Sequence, residues 1–211
     1  KYKLVKNSYY LNKPFCNVFE KPNNRSKLST QILYGEKFTI ISRWNGYFKI
    51  KTNYDNYLGY IVADNYPKKF LPNYKVRVLK ACIYKEPKIT KKTKDFLSFS
   101  SEINITESNS IFFKFAKEKW IKKDDVIKKN IKIKNYLKIF KLFKNCKYVW
   151  GGKTFNGIDC SALIQLYFKY NDWYYPRDTI DQIKFKRGKR KKFKFKSGDL
   201  IYWKGHVAVC I

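Results

Sequence analysis

Short runs of alternating apolar and polar residues fill the first half of the chain, and turn signals separate them. The clearest runs are "TQILYGEKFTIISRWNGYFKI" at residues 30–50 and "NYLGYIV" at residues 56–62. Alternation of period two between glycine- and asparagine-bearing turns predicts β-strands. A weaker repetition of the same order begins with "YKVRVLKACIYKEPKI" at residues 74–89. The pattern therefore predicts two small all-β units, residues 1–68 and 69–128.

From residue 131 the pattern changes from strand-like to helical. The segment "IKIKNYLKIFKLFKNC" places lysines opposite an apolar stripe at helical spacing, formed by Ile133, Leu137, Phe140 and Phe143. A basic amphipathic helix of this kind either lies on a membrane surface or docks on its own domain. We favour docking, because the richest motifs of the chain follow immediately within residues 129–211.

A second helix is predicted directly after Cys160. In "SALIQLYFKY" the residues of an apolar stripe with helical spacing are Leu163, Ile164, Tyr167 and Phe168. Cys160 therefore lies at a helix N-terminus, where unpaired amides and the positive end of the dipole favour a thiolate. The same amides could bind an oxyanion. This position makes Cys160 a candidate nucleophile.

The base that such a nucleophile needs is found at His206, which is the single histidine of the chain. Two strand-like runs, "DLIYW" and "HVAVCI", are joined by the turn "KG", so His206 should open an antiparallel strand. The other cysteines are interpreted as small buried apolar residues; they are Cys16, Cys82, Cys146 and Cys210. Their irregular spacing predicts no disulfide framework, metal site or cofactor.

The formal net charge of +31 raises the question of nucleic-acid binding. Only six of the 47 basic residues are arginine, the residue best suited to bidentate phosphate contacts. The abundance of Lys, Asn, Ile, Tyr and Phe is typical of a genome rich in A and T, so we expect no specific nucleic-acid partner. The basic stretch "KFKRGKRKKFKFK" at residues 184–196 is interpreted as a solvated loop and strand rather than a grip for an anionic polymer.

The sequence also gives expectations about the location of the protein. No run of about 18 apolar residues predicts a membrane span, and the unpaired cysteines favour a reducing compartment. The chain contains no methionine, so we expect that its start was removed, and an export signal could have been removed with it. A cytoplasmic monomer is expected.

Five fragments together resemble the NlpC-type cysteine peptidases, cell-wall enzymes with a papain-like α+β fold. The fragments are "YVWGG", "GIDCSALIQ", "YPRDTIDQ", "SGDLIYW" and "HVAVCI". The runs at residues 30–62 resemble bacterial SH3-like domains. The order of these domains along the chain is similar to that of the γ-D-glutamyl-diamino acid endopeptidases, which carry two SH3-like domains before the catalytic one. The resemblance implies two SH3-like barrels and a catalytic domain at residues 129–211 that is incomplete at its C-terminus.

The resemblance also implies roles for individual residues. Cys160 would be the nucleophile, His206 the base, and Tyr148 would line the oxyanion side. The residues implied to hold the peptide end of the substrate are Asp159, Ser161 and Thr179, with Glu36 and Tyr57 added from the first barrel. For Asp159 a simple helix cap is the alternative, and Glu36 could be a solvated turn residue. A carboxylate in the cleft would suit the free ammonium group of an N-terminal L-alanine.

Two departures from the family pattern are visible. Ala162 stands where these peptidases usually have glycine, and the third catalytic residue is expected beyond Ile211. The function implied is hydrolysis of the γ-D-glutamyl-diamino acid bond in murein peptides. Two alternatives remain open, a non-catalytic wall-binding module and an amidase that cuts between muramic acid and alanine.

Overall fold

A computed structural model describes residues 7–186 and 194–211. Its first β unit is one six-stranded antiparallel sheet in the order β1-β4-β5-β6-β2-β3. The strands are β1 (Ser8–Tyr10), β2 (Phe15–Phe19), β3 (Leu28–Leu33), β4 (Lys37–Trp44), β5 (Tyr47–Thr52) and β6 (Leu58–Val62). The apolar positions of the alternating pattern meet inside this sheet, where Val18, Ile32, Phe38, Ile50 and Ile61 are fully buried.

The second β unit contains eight short strands in two sheets, with the orders β10-β7-β14 and β11-β12-β13-β8-β9. The strands are β7 (Tyr74–Val76), β8 (Lys80–Tyr84), β9 (Lys92–Ser98), β10 (Glu102–Ile103), β11 (Glu107–Ser108), β12 (Phe112–Ala116), β13 (Lys119–Lys122) and β14 (Val126–Lys128). Its core includes Val76, Leu97 and Ile121, and Tyr34 of the first β unit packs into the same cluster. The two β units therefore share buried apolar surface.

The C-terminal unit holds the three α-helices of the described residues and two β-hairpins. Its elements are α1 (Tyr136–Leu142), β15 (Lys153–Thr154), β16 (Gly157–Ile158), α2 (Cys160–Tyr170), α3 (Thr179–Lys186), β17 (Leu200–Trp203) and β18 (His206–Val209). Within the described residues no helix is long and apolar enough to span a membrane. Of the basic stretch at 184–196, residues 187–193 lie outside the described residues.

The first predicted helix is shorter than its apolar stripe suggested. Helix α1 begins at Tyr136, because the Asn135 side chain caps it by accepting a hydrogen bond from the Leu137 amide at 3.0 Å. Ile133 precedes the helix, and Phe143 follows its last residue. The most buried residue of α1 is Ile139, which the predicted stripe did not contain. The helix packs on the C-terminal unit, as the docking interpretation expected.

Helix α2 is buried on more than one face. Its predicted stripe is fully buried only at Ile164, whereas Ala162, Leu166 and Tyr170 from another face are also buried. One face packs against α1 and Phe99 of the second β unit. The other packs against the β17-β18 hairpin through Val207. An apolar stripe in the sequence predicts one buried face. Helix α2 is enclosed on two sides, so more of its surface is buried than the stripe predicted.

Candidate active site

Helix α2 begins at Cys160 because Asp159 caps it. The Asp159 Oδ1 atom accepts a hydrogen bond of 2.8 Å from the Ala162 amide, two residues inside the helix start. The Oδ2 atom accepts a bond of 2.9 Å from the Gly151 amide. One carboxylate thus fixes both the start of α2 and the glycine loop that follows Tyr148. The predicted position of Cys160 at a helix N-terminus is confirmed.

A buried arginine holds the same carboxylate. Arg177 donates from Nη1 to Asp159 Oδ1 at 2.9 Å and from Nη2 to Asp159 Oδ2 at 2.7 Å, the paired geometry that makes arginine–carboxylate contacts strong. Nη1 also donates to Ser161 Oγ at 2.9 Å, and Nε donates to Thr30 Oγ1 of β3 at 2.8 Å. Burial lowers the pKa of Arg177, but the charge and hydrogen bonds of Asp159, together with the nearby Asp178 and Tyr57, outweigh burial and raise it.

These contacts correct the role expected for Asp159. Its two oxygens accept bonds from Gly151, Ala162, Ser161 and twice from Arg177. A carboxylate offers about four lone-pair positions, so none is left for a substrate ammonium group, and the Arg177 charge already neutralises it. Asp159 is the helix cap that the sequence allowed as the alternative. Ser161 serves the same network, since its hydroxyl donates to Asp159 at 3.2 Å.

Tyr148 is held beside the start of α2 by backbone pairing. It forms an isolated bridge with Ile158, while the Val149 amide donates to the Ile158 carbonyl and the Ile158 amide donates to the Lys147 carbonyl. Partial burial raises the pKa of the Tyr148 hydroxyl, and the neighbouring Cys160 and Asp159 raise it further. The hydroxyl therefore lies near the Cys160 thiol.

His206 opens β18, as predicted. It pairs with Trp203 across an antiparallel hairpin whose turn is Lys204 and Gly205. The imidazole centroid lies 4.8 Å from the Trp203 ring and 6.4 Å from the Tyr148 ring. Val207, the next residue, packs against Ile164 of α2. Packing of the hairpin on α2 thus brings the histidine to the same face as Cys160 and Tyr148.

A cleft of about 290 Å³ runs beside Cys160. Six residues expected at the site line it, namely Tyr57, Tyr148, Asp159, Cys160, Ser161 and Thr179. The first β unit forms one side of the cleft, with lining residues Glu20, Lys27, Ser29 and Tyr57. The cleft therefore lies between the first β unit and the C-terminal unit.

Glu36 does not reach this cleft, so its expected placement is wrong. Its carboxylate is 7% exposed and lies 3.2 Å from Lys153 Nζ and 2.9 Å from Lys169 Nζ, both also buried. It is not among the described residues that line the cleft. The sequence shows a glutamate in a turn, but its two lysine partners are distant in the chain.

Two acidic residues of the cleft were missed. Asp178 accepts a hydrogen bond of 3.2 Å from the Tyr57 hydroxyl, and among the described residues no lysine or arginine lies within ion-pair distance of it. Burial raises the pKa of Asp178, against the opposing charge of Arg177. Glu20, at the end of β2, pairs at 3.6 Å with Lys27. The signal available for Asp178 was its place after Arg177 in "YPRDT", directly before a helix.

Comparison with known proteins gives consistent matches. Residues 145–211 match the model of the NlpC/P60 family, and residues 18–65 match that of the bacterial dipeptidyl-peptidase SH3 domain. A γ-D-glutamyl-L-lysine dipeptidyl-peptidase of Bacillus subtilis (strain 168) is 26% identical over 113 residues, which are 51% of this chain and 38% of that protein. The chain thus spans well under half the length of this relative.

The fold itself has a solved counterpart. The crystal structure of an NlpC/P60 family protein from Bacillus cereus ATCC 10987 superposes with a TM-score of 0.81. The superposition covers 97% of this chain and 88% of that chain at 18% identity. At this identity the likeness shows a shared fold, and it extends over both β units as well as the C-terminal unit.

Proposed function

We propose that the protein is a cysteine peptidase that cleaves the γ-D-glutamyl-diamino acid bond of murein peptides, because residues 145–211 match the model of the NlpC/P60 family and residues 18–65 that of the bacterial dipeptidyl-peptidase SH3 domain. The observation that carries this proposal is the position of Cys160, at a capped helix N-terminus inside a cleft. The γ-D-glutamyl-L-lysine bond named for the 26% identical relative supports the choice of substrate.

The chemistry follows from the groups around Cys160. His206 takes the proton of the Cys160 thiol, and the thiolate attacks the carbonyl carbon of the γ-glutamyl bond. The negative oxygen that forms is stabilised by the N-terminal amides of α2 and by the Tyr148 side of the cleft. The imidazolium of His206 then protonates the amine of the leaving diamino acid. Water hydrolyses the thioester, which regenerates the thiol and releases the γ-glutamyl carboxylate.

The N-terminal end of the peptide is proposed to lie against the first β unit. Asp178 places negative charge in the cleft of a strongly basic protein, and Tyr57 holds its carboxylate. A free ammonium group of L-alanine suits this charge as a hydrogen-bond donor. Peptides still attached to glycan have no such group. The proposed substrate is therefore a released peptide of the type L-Ala-γ-D-Glu-diamino acid.

The test is the value of kcat/KM for this tripeptide and for its N-acetyl derivative. Acetylation should cost about 2 to 4 kcal/mol of transition-state binding, since it leaves the half-buried Asp178 carboxylate without a cationic partner in the complex. Asp178→Asn should reduce the preference for the free amine, and Cys160→Ala is the control for contaminating activity. Equal rates on both peptides, or rapid digestion of intact sacculi, would contradict the proposal. Mass analysis of the products distinguishes a peptidase from an amidase.

The domain organisation is proposed to follow the sequence bounds. Residues 1–68 and 69–128 would be two SH3-like domains, and residues 129–211 the catalytic domain. The second SH3-like domain is supported by eight strands and a core of its own. Use of released peptides would accord with recycling, which is the basis for proposing a cytoplasmic location.

A further inference from the structure

We propose that Thr30 of the first β unit is a positioning residue for the Cys160 nucleophile, acting through Arg177 and Asp159. This inference rests on the proposed function and assigns the first β unit a second task. Besides bordering the cleft, it holds the helix start on which the thiol is mounted. Thr30 is 2% exposed and is not among the described residues that line the cleft, so any effect on catalysis must pass through other residues.

The first step concerns the hydrogen-bond needs of Arg177. The guanidinium is 3% exposed, and each of its three nitrogens has a partner: Thr30 at Nε, Ser161 and Asp159 at Nη1, and Asp159 at Nη2. A buried donor without a partner is costly. Thr30 Oγ1 is the acceptor that the first β unit supplies. Without it, the guanidinium would have to turn toward another acceptor and leave its paired geometry on Asp159.

The second step concerns what moves with Asp159. Its carboxylate joins the amide of Ala162 in α2 to the amide of Gly151 in the loop after Tyr148. Arg177 holds this carboxylate through both Nη1 and Nη2. The guanidinium therefore fixes the Cys160 helix start relative to the loop after Tyr148, and a rotation of it would displace one from the other.

The third step concerns the rigidity of the strand that carries Thr30. Gly151 lies so close to β3 that a Cβ atom there would be 2.6 Å from the Leu28 carbonyl oxygen, and its φ of +72° also favours glycine. Two residues further on, the Lys153 amide donates to Gln31 Oε1 at 2.8 Å. Contacts on both sides of Thr30 hold β3 against the C-terminal unit, so the Thr30 hydroxyl is presented at a fixed position.

These steps predict an effect on the thiol rather than on substrate binding. The thiolate at a helix N-terminus is favoured by amides that point at it. If the cap is displaced, these amides no longer point at the thiol, so its reactivity falls, and the attack distance changes. Removal of the Thr30 hydroxyl should therefore lower kcat and the reactivity of Cys160, and leave KM nearly constant.

The experiment compares Thr30→Val and Thr30→Ser in the full chain. The matched control is Thr39→Val, which removes a hydroxyl bonded only within the first β unit, to Asn53 at 3.4 Å. The first readout is the rate of Cys160 alkylation by iodoacetamide as a function of pH, with Cys210 as the internal reference. Thr30→Val should slow alkylation of Cys160 and lower kcat by about 10- to 100-fold, as for a small misplacement of a reacting group. Thr30→Ser keeps the hydroxyl and should therefore have nearly the wild-type alkylation rate and kcat. Thr39→Val should match the wild type in both.

Two results would overturn the inference. One is a Thr30→Val chain with the alkylation profile and kcat of the wild type. The other is a rise in KM with unchanged alkylation, because Thr30 would then shape only the substrate wall. If Thr30→Val does not fold, Thr30→Ala tests the same hydroxyl without added bulk. Alkylation needs no substrate. If the Thr30 variants alter the alkylation rate as expected while the wild-type chain does not cleave the tripeptide, only the proposed function is refuted.

Discussion

The two β units contact the C-terminal unit by different kinds of interaction. The first β unit uses buried polar groups, such as Gln31 on the Lys153 amide and Asp55 on Gln165 at 2.8 Å. The second uses mainly an apolar face, where Phe99 stacks on Tyr170 with ring centroids 4.5 Å apart and planes 16° apart, although Lys75 also donates a buried hydrogen bond to the Tyr170 carbonyl. The apolar contacts lie on the face of α2 that packs with α1, where Leu33 of the first β unit joins the same cluster.

This difference separates positioning from stabilisation. Hydrogen bonds and ion pairs have narrow geometric tolerance and fix the relative placement of groups, although their net stabilisation is modest. Apolar contacts are less directional and roughly proportional to buried area. We therefore expect the first β unit to set the geometry of the cleft and the second to contribute mainly free energy of folding. The following changes test this division.

The largest effect is expected from removing the reacting groups that the first β unit borders. Cys160→Ala or His206→Ala should each reduce tripeptide hydrolysis by at least about a thousandfold, because nucleophile and base act as a unit. The thermal midpoint of unfolding should change little in either variant. Hydrolysis at the wild-type rate by Cys160→Ala would place the chemistry elsewhere and remove the basis of the comparison.

The next effect is on the free energy of unfolding when a buried charge of the polar interface is removed. Glu36→Gln leaves Lys153 and Lys169 buried without their carboxylate, which should cost about 3 to 5 kcal/mol in urea unfolding. Glu107→Gln removes an exposed partner of Lys114 and should cost under about 1 kcal/mol. Equal losses in the two variants would show that the buried cluster is not essential.

The buried cluster of Glu36, Lys153 and Lys169 also makes the free energy of unfolding depend on pH. Burial alone would raise the pKa of Glu36, but the charges of Lys153 and Lys169 outweigh it and hold the pKa below its usual value. The stabilisation is thus complete above the unfolded pKa of about 4.3 and is lost as the pH falls through the lower folded pKa. The stability difference between wild type and Glu36→Gln should shrink in that acidic window and remain constant between pH 5 and neutral pH.

A moderate effect is expected at the apolar interface. Phe99→Leu should lower the free energy of unfolding by about 1 to 2 kcal/mol, because it removes ring contacts with Tyr170 and Phe143. Activity per folded molecule should stay at the wild-type level. Phe195→Leu, at an exposed ring, controls for the substitution itself. A fall in kcat for Phe99→Leu would break the proposed division between the two β units.

The smallest effect is expected at the substrate wall of the first β unit. Tyr57→Phe deletes the hydrogen bond to Asp178 and should raise KM for the free-amine tripeptide by roughly 3- to 10-fold, the net worth of one ordinary hydrogen bond, because Tyr57 acts on the substrate only through Asp178. Its effect on the N-acetyl peptide should be negligible. Tyr60→Phe, at a residue of β6 that does not line the cleft, is the control. A uniform loss on both peptides would argue against an ammonium site at Asp178.

Sequence reasoning succeeded where the determinants are local in the chain. The capped start of α2 and the hairpin that carries His206 depend on residues within a few positions of each other, and both are present as predicted. The placement of Glu36 failed, because turn chemistry does not reveal a lysine partner 117 residues away. Asp178 was missed for a related reason. Its function in the cleft depends on Tyr57 from another unit, 121 residues distant.

The hydrogen bond between Thr30 and Arg177 also sets an order of events during synthesis. The two residues are 147 positions apart, so at ribosomal rates the strand that carries Thr30 emerges about 7 to 30 s before Arg177. The first β unit has its own core and is able to fold within that interval. We therefore expect the nascent C-terminal unit to meet a folded surface with its acceptors already in place, so that the first β unit serves as a template for the cleft.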